Sequence, residues 1–441
     1  VNHHSMRLRG LVAVAALVLT AGCGGAEEDG KGAAHGGDAA KSAAPKGPAM
    51  REVKAPVRFS TQQSVALPDS AGAGNVAIAG LQHPLPVAPH KGMVVIARPD
   101  GMEIANGYRK ADPVLITPKH EPLTAIDDLG AVVGSNPARR PVITEHEGKT
   151  LALSSVVTDV PGSGTTKGHH EVELIAAELD ADGGAAAKAW SARVPLGEME
   201  YSLDVDEEDT EVVGVTGGIA TVYAQGRLFG VDLGSHRKVW TAPGTYAEGA
   251  VLAGGRLVAL RDHEGGDRRP VGLDPADGRQ KWVMDDLAAD DLTPAGPGTV
   301  FVGGYLTGDD EGEEEAALID AATSKKIRTF DETTQSGECA YDGRSTTVCS
   351  VGDSVTAYDS GTGKVRWALP DKSENRVAPK VTLVRAGLVY GTTENGPVVL
   401  DSTTGADKEN DPGIAPYFSD GYIGIALAES DNTVTAYRVE R

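Results

Sequence analysis

The sequence predicts an all-β fold built from one repeated four-stranded unit, on three observations. Asp232, Asp274 and Asp359 each stand eight residues before a tryptophan, namely Trp240, Trp282 and Trp367. A further copy stretches the interval to ten, from Asp180 to Trp190, and these pairs use all four tryptophans of the chain. With 56 glycines and 25 prolines in 441 residues, turns are frequent, and short β runs recur about every 40 residues without an amphipathic helix beyond residue 55.

The first 22 residues read as an export signal. Arg7 and Arg9 precede an apolar run from Leu11 to Leu19, too short to span a bilayer comfortably, and small residues lead into Cys23. The order "MRLRGLVAVAALVLTAGC" resembles a bacterial lipoprotein signal. That resemblance implies that Cys23 becomes the lipidated first residue of the mature chain, with palmitate-type acyl chains holding it to the membrane. An ordinary cleaved signal with an incidental cysteine is the other reading.

Residues 23–54 then supply a tether. The stretch after Cys23 is Gly, Ala, Pro and charge with almost nothing to bury, so it is expected to be disordered and to hold the rest of the chain roughly 30 Å from the membrane.

From residue 55 onward the unit is legible. A strand such as "GTVFVGG" leads through a turn to a strand such as "SVTAYD", and a Gly-containing turn leads to a last strand carrying Trp. Asp180, Asp232, Asp274, Asp320, Asp359 and Asp401 mark six units, "NTVTAYRVE" is a seventh cut short, and Gly92 to Lys110 is a divergent eighth. The aspartate is suited to accept hydrogen bonds from turn amides. Gly278, Gly363 and Gly405, each four residues on, can supply the positive φ of the reversal. Tryptophan at a fixed place in every unit points to packing between neighbouring sheets. Arg328 and Glu409 hold that place after Asp320 and Asp401, where packing is expected to be looser.

The unit "VTAYDSGTGKVRW" closely resembles the pyrroloquinoline-quinone-type β-propeller repeat, a strand, then A-D-x-x-T-G, then K-x-x-W. The resemblance covers residues 55–441 and includes the repeats of outer-membrane assembly propellers and of quinoprotein dehydrogenases. It implies a β-propeller of four-stranded blades, eight by count with seven as the alternative. It is specific for fold and not for function. Because the final unit lacks its fourth strand, "APVRFS" at 55–60, similar to "GKVRWA" with Phe59 in the place of Trp367, is expected to complete the last blade and hide its edge.

Cys339 and Cys349 remain as an even pair in "CAYDGRSTTVC". An exported chain permits a disulfide between two strands joined by "DGRS"; free thiols or a metal are the alternatives, the latter short of ligands.

Little in the chain suggests catalysis. A formal net charge of -22 disfavours nucleic acid, which needs clustered Lys and Arg. The quinoprotein dehydrogenases, as the resemblance implies, hold calcium with a Glu/Asn/Asp set, use an aspartate base and often carry adjacent cysteines, which this sequence lacks. The acidic runs at 204–211 and 309–315 read as solvated loops, with weak calcium binding the alternative. His169 and His170, as strand neighbours, point to opposite faces, which disfavours a shared metal. No catalytic, cofactor or metal residue is assigned. The expectation is a monomeric, non-catalytic lipoprotein on the extracytoplasmic face of a bacterial cell membrane, binding a protein or cell-wall partner. The alternatives are a solute-binding or sensory lipoprotein with a small ligand in the central channel and, third, a quinoprotein oxidoreductase.

Overall fold

Strands with a central apolar run, such as Met93–Arg98 and Arg256–Asp262, bury that run completely. Such a strand must be covered on both faces, and here a neighbouring sheet supplies each cover. The computed structural model describes residues 51–72, 85–123, 139–180, 186–197, 209–263, 266–307, 313–330, 338–372, 375–428 and 433–441. All belong to one compact unit, residues 50–441. Cys23 lies outside the described residues, as do the leader and nearly all of the tether.

Eight antiparallel sheets form the blades of a β-propeller. Blade 1 begins at Val87–His90 and ends at Val114–Ile116, and blade 2 runs from Val142–His146 to Ala186–Pro195. Blade 3 runs from Thr210–Thr216 to Arg237–Thr241, blade 4 from Val251–Ala253 to Gln280–Val283, and blade 5 from Leu287–Pro294 to Lys326–Phe330. Blade 6 runs from Glu338–Tyr341 to Val365–Leu369 and blade 7 from Lys380–Arg385 to Asp407–Glu409. Blade 8 takes Phe418–Ser419, Ile423–Leu427 and Val434–Val439 from the end of the chain, and Phe59–Ala66 from near its start. Blade 2 adds a fifth short strand, Glu121–Pro122, beside Thr158 and Asp159. The divergent stretch 92–110 is the middle of blade 1, so the ring has eight blades and not seven.

The first strands of successive blades contact one another from blade 8 through blade 1 to blade 7, which places them around the hub. The last strands form the rim. Phe59–Ala66 is the rim strand of blade 8 and pairs antiparallel with Val434–Val439. The register differs from the sequence alignment. Val65, not Phe59, stands opposite Ala436, the counterpart of the Ala357 that faces Trp367. Phe59 pairs with Val439 and turns its ring edge-on to Tyr390 of blade 7, with centroids 6.2 Å apart. A bulge between Phe59 and Ser64 makes this displacement.

The repeat aspartates hold their turns through one carboxylate oxygen. Asp359 accepts from the N–H of Thr362 at 3.0 Å and its hydroxyl at 2.8 Å; Asp232, Asp320 and Asp401 make the same pair of bonds to Ser235, Thr323 and Thr404. Asp274, followed by Pro275, bonds the N–H of Ala276 at 3.0 Å instead. Asp180 stands one residue past the strand His169–Leu179, and the turn after it lies outside the described residues. Gly278, Gly363 and Gly405 have φ of 69°, 66° and 69°. At Gly278 and Gly405 a second demand applies, since an added Cβ would meet the ring of Trp240 at 2.6 Å or of Trp367 at 2.7 Å.

Candidate functional site

The repeat tryptophans join consecutive blades by one recurring contact. The indole N–H of Trp240 donates to the carbonyl of Pro275 at 3.0 Å, that of Trp282 to Ala321 at 3.0 Å, and that of Trp367 to Ser402 at 2.8 Å. Each acceptor is the residue after the next blade's aspartate. Trp190 instead stacks on His236 of blade 3, with centroids 4.4 Å apart. Aspartates and tryptophans are therefore spread around the rim, with the tryptophans at four of the eight blade interfaces, and do not converge on one site.

Where Arg328 replaces tryptophan, the interface between blades 5 and 6 differs. Arg328 pairs opposite Leu318, and its guanidinium lies 5.6 Å from the ring centroid of Phe330 and 4.9 Å from that of Tyr358. Its Nη1 reaches the carbonyl of Gly363 only at 3.4 Å, and its buried Nε has no acceptor among the described residues. Beside it opens a groove of about 480 Å³. Glu409 is met differently, because Arg58, next to the closing strand, donates to it at 2.5 Å and ties blade 7 to blade 8. The pair Cys339–Cys349 stands directly opposite on two strands of blade 6 and is joined as a disulfide, with Cys349 in the groove wall.

A second place is the hub. Arg139 and Arg140 lead into the first strand of blade 2. Arg139 pairs with Glu248, just before blade 4, while Arg140 lies 4.6 Å over the ring of Phe418 in the first strand of blade 8. Two adjacent residues that reach blades on either side must lie across the channel mouth. Burial pushes the Glu211 carboxyl up, against Arg139 and the N–H groups of Gly249 and Ala250, which favour its charged form. Loss of hydration among the surrounding hub residues holds Arg140 below the usual arginine value although its surface still meets solvent, and no acceptor meets its N–H groups among the described residues.

A third opening, of about 300 Å³, lies between blades 6 and 7 and is polar, with Asn375, Arg376, Asn395 and Asp407 in its wall. Arg376 is already engaged there by Asp407 and by the carbonyl of Gly405.

In the segment "HHEVE" the two glutamates, not the histidines, carry the electrostatics. Glu171 and Glu173 are buried in blade 2 and pair with Arg193 at 3.4 Å and Lys188 at 3.2 Å from the adjacent strand. Their alternation, with Lys188 and Arg193 in the following strand, was the available signal. His170 lies 3.4 Å from the amide of Gln225. The acidic runs fall largely outside the described residues. Among the described residues, no three His, Cys, Asp or Glu side chains gather as metal ligands.

No protein-family model matches the chain, and no curated protein does. Solved structures resemble it at low identity. The computationally designed Ika8 protein matches 80% of this chain and 95% of its own at 13% identity and a TM-score of 0.46. BamB from Moraxella catarrhalis matches 88% and 99% at 16% identity and a TM-score of 0.43. A chain of the mitotic checkpoint complex matches 65% and 91% at 15% identity and a TM-score of 0.38.

Proposed function

We propose that this chain is a lipid-anchored, extracytoplasmic propeller of the pyrroloquinoline-quinone-type repeat class that binds a protein or cell-envelope partner and catalyses no reaction. The observation that carries the reading is the commitment of the motif's polar groups to the ring. Four of the repeat carboxylates each take up an N–H and a hydroxyl of their own turn, and three indoles each donate to the next blade. What remains is a rigid ring with groups at its rim and hub that meet no partner among the described residues, a geometry that suits binding. The order of basic, apolar and small residues ending at Cys23 supports the anchor. Stable attachment takes more than one acyl chain.

In-cell crosslinking of the full chain, followed by identification of captured proteins, tests the reading. One partner recovered in proportion to the bait supports it, and no crosslinked product sinks it. Cys23→Ala tests the anchor separately: release to the medium or an unprocessed mass is expected, and unchanged fractionation and mass refute lipidation.

A second reading has a specific observation behind it. Arg140, held over Phe418 at the channel mouth with its N–H groups free of acceptors among the described residues, favours a small anionic solute. Calorimetry with small carboxylates on the parent and on Arg140→Gln separates it from the first.

A further inference from the structure

The groove between blades 5 and 6 exists because one residue departs from the repeat. In four other blades the rim strand carries tryptophan at this register, opposite Ala176, Gly230, Gly272 or Ala357. In blade 5 the register position opposite Leu318 holds Arg328. The indole's contact with the following blade is thereby lost. Arginine restores part of the packing by lying against Phe330 and Tyr358. It does not restore the hydrogen bonding. Its one bond within reach, to Gly363, is at the limit of length, and the Nε–H is orphaned among the described residues. A buried donor without an acceptor costs roughly what a lost hydrogen bond costs, so among the described residues the site is incomplete.

The chemistry of the wall defines what would complete it. Phe330, Tyr358, Val351 and Val365 give it apolar surface, and Thr329, Ser354 and Thr356 set hydroxyls among them. Val365 keeps 50% of its surface exposed. Among the described residues, Arg328 is the only charged one in the lining, in a chain whose formal net charge is -22. Two cations on neighbouring rim strands face carboxylates: Lys326 meets Asp286 and Glu315, and Arg366 meets Asp359. Arg328 meets none among the described residues. Lys326–Phe330 is also the last strand of its sheet, paired only to Glu314–Asp320 among the described residues, so its outer backbone groups are open to another strand.

We infer that this groove takes an extended segment of a partner protein, which adds along the free edge of Lys326–Phe330 and seats an acidic side chain on Arg328. The inference rests on the partner-binding function proposed above and names where and by what chemistry the partner is held. A carboxylate offers a planar pair of acceptors for the guanidinium fork, and an extended chain places alternate side chains against the rings. The volume of about 480 Å³ has room for a few side chains, not for a folded domain.

The test uses the full chain and fluorescein-labelled heptapeptides of alternating Val and Thr with a central Glu, Asp or Gln, followed by anisotropy into the millimolar range. Glu or Asp peptides are expected to bind, and Gln peptides at least about tenfold more weakly. Arg328→Trp, which places the repeat's own residue in the groove, is expected to abolish binding while melting no lower than the parent. Arg328→Gln keeps the groove open and is expected to lose the Glu-over-Gln preference, which guards against a misfolded tryptophan variant. Equal binding of Glu and Gln peptides, undiminished binding to Arg328→Trp, or no binding by any peptide overturns the inference. Crosslinking in cells with parent and Arg328→Trp side by side separates the two levels. A partner lost only from the variant supports the groove, a partner kept by both removes the groove but leaves the scaffold, and no partner for either removes both.

Discussion

Trp367 on the rim of blade 6 donates its indole N–H to the carbonyl of Ser402 in blade 7, at 2.8 Å. The hydroxyl of the same Ser402 donates at 2.6 Å to Asp342, back in blade 6. Asp342 also accepts from the backbone N–H groups of Arg344, Ser345 and Thr346 at 2.8, 2.9 and 3.0 Å. One serine thus receives a rim tryptophan and completes a buried carboxylate, and the two blades are stitched from both ends.

Truncation of the rim tryptophans should cost stability in proportion to burial. Trp240 is 7% exposed, and Trp240→Ala is expected to lose about 3–5 kcal/mol. Trp282→Ala and Trp367→Ala should lose less, because their rings are only partly buried, and Trp190→Ala less again, since Trp190 has no indole hydrogen bond to a backbone carbonyl among the described contacts. Chemical denaturation of the four variants checks the order. In a ring of repeats the loss should also appear as faster amide exchange in the two blades that flank each site.

Asp342 makes stability depend on acid. Burial alone would raise its pKa, but the hydroxyl of Ser402 and the N–H groups of Thr346, Arg344 and Ser345 outweigh it and hold the carboxyl below its ordinary value. A folded pKa below the unfolded one stabilises above the unfolded value, about 3.9, and that contribution is lost as pH falls through the folded one. Melting temperature should therefore drop below about pH 4, and Asp342→Asn should flatten this slope. Asp342→Ala leaves four donors without an acceptor and is expected to cost about 1–3 kcal/mol at neutral pH.

Reduction of Cys339–Cys349 should weaken blade 6 without opening the ring. The closed loop spans a sequence separation of 10, for which chain entropy gives about 2–3 kcal/mol. Peptide maps with and without reductant identify the bond, and thermal melts of the two forms measure its effect. Two free thiols in exported protein would contradict the pairing.

Removing residues 51–66 should unseal the ring. The deletion takes the rim strand of blade 8, the Arg58 partner of Glu409, and the carbonyl of Pro56 that accepts from the buried Tyr390 hydroxyl at 2.7 Å. It leaves the edge of Val434–Val439 open to other chains. Light scattering after size exclusion is expected to show association of the deleted form, while a form beginning at residue 51 keeps its melting temperature.

The repeat was legible because its chemistry is local. An aspartate bonding an N–H and a hydroxyl three residues on, and a glycine of positive φ four residues on, are set by the chain's own turn, so Asp359, Thr362 and Gly363 announce themselves in order. Blade count and the use of the N-terminal strand come from counting these units and finding the last one short. The sequence could not say what each tryptophan meets, since Pro275, Ala321 and Ser402 lie 35 or more residues on and enter through their backbone carbonyls, which any residue type supplies. It misplaced Phe59 for a related reason: similarity to "GKVRWA" carries no information about a bulge, and the bulge moved Val65 into that register. Arg328 and Glu409 stood out in the sequence as departures. Only the tertiary structure made one of them a groove with a donor unmet among the described residues, and the other half of an ion pair with Arg58. The reach of Arg139 and Arg140 across the hub was likewise invisible, because nothing in a linear chain brings Glu248 and Phe418 near one dipeptide until the ring closes. Turns are decided within a few residues, whereas sites between blades are decided by which surfaces closure presses together.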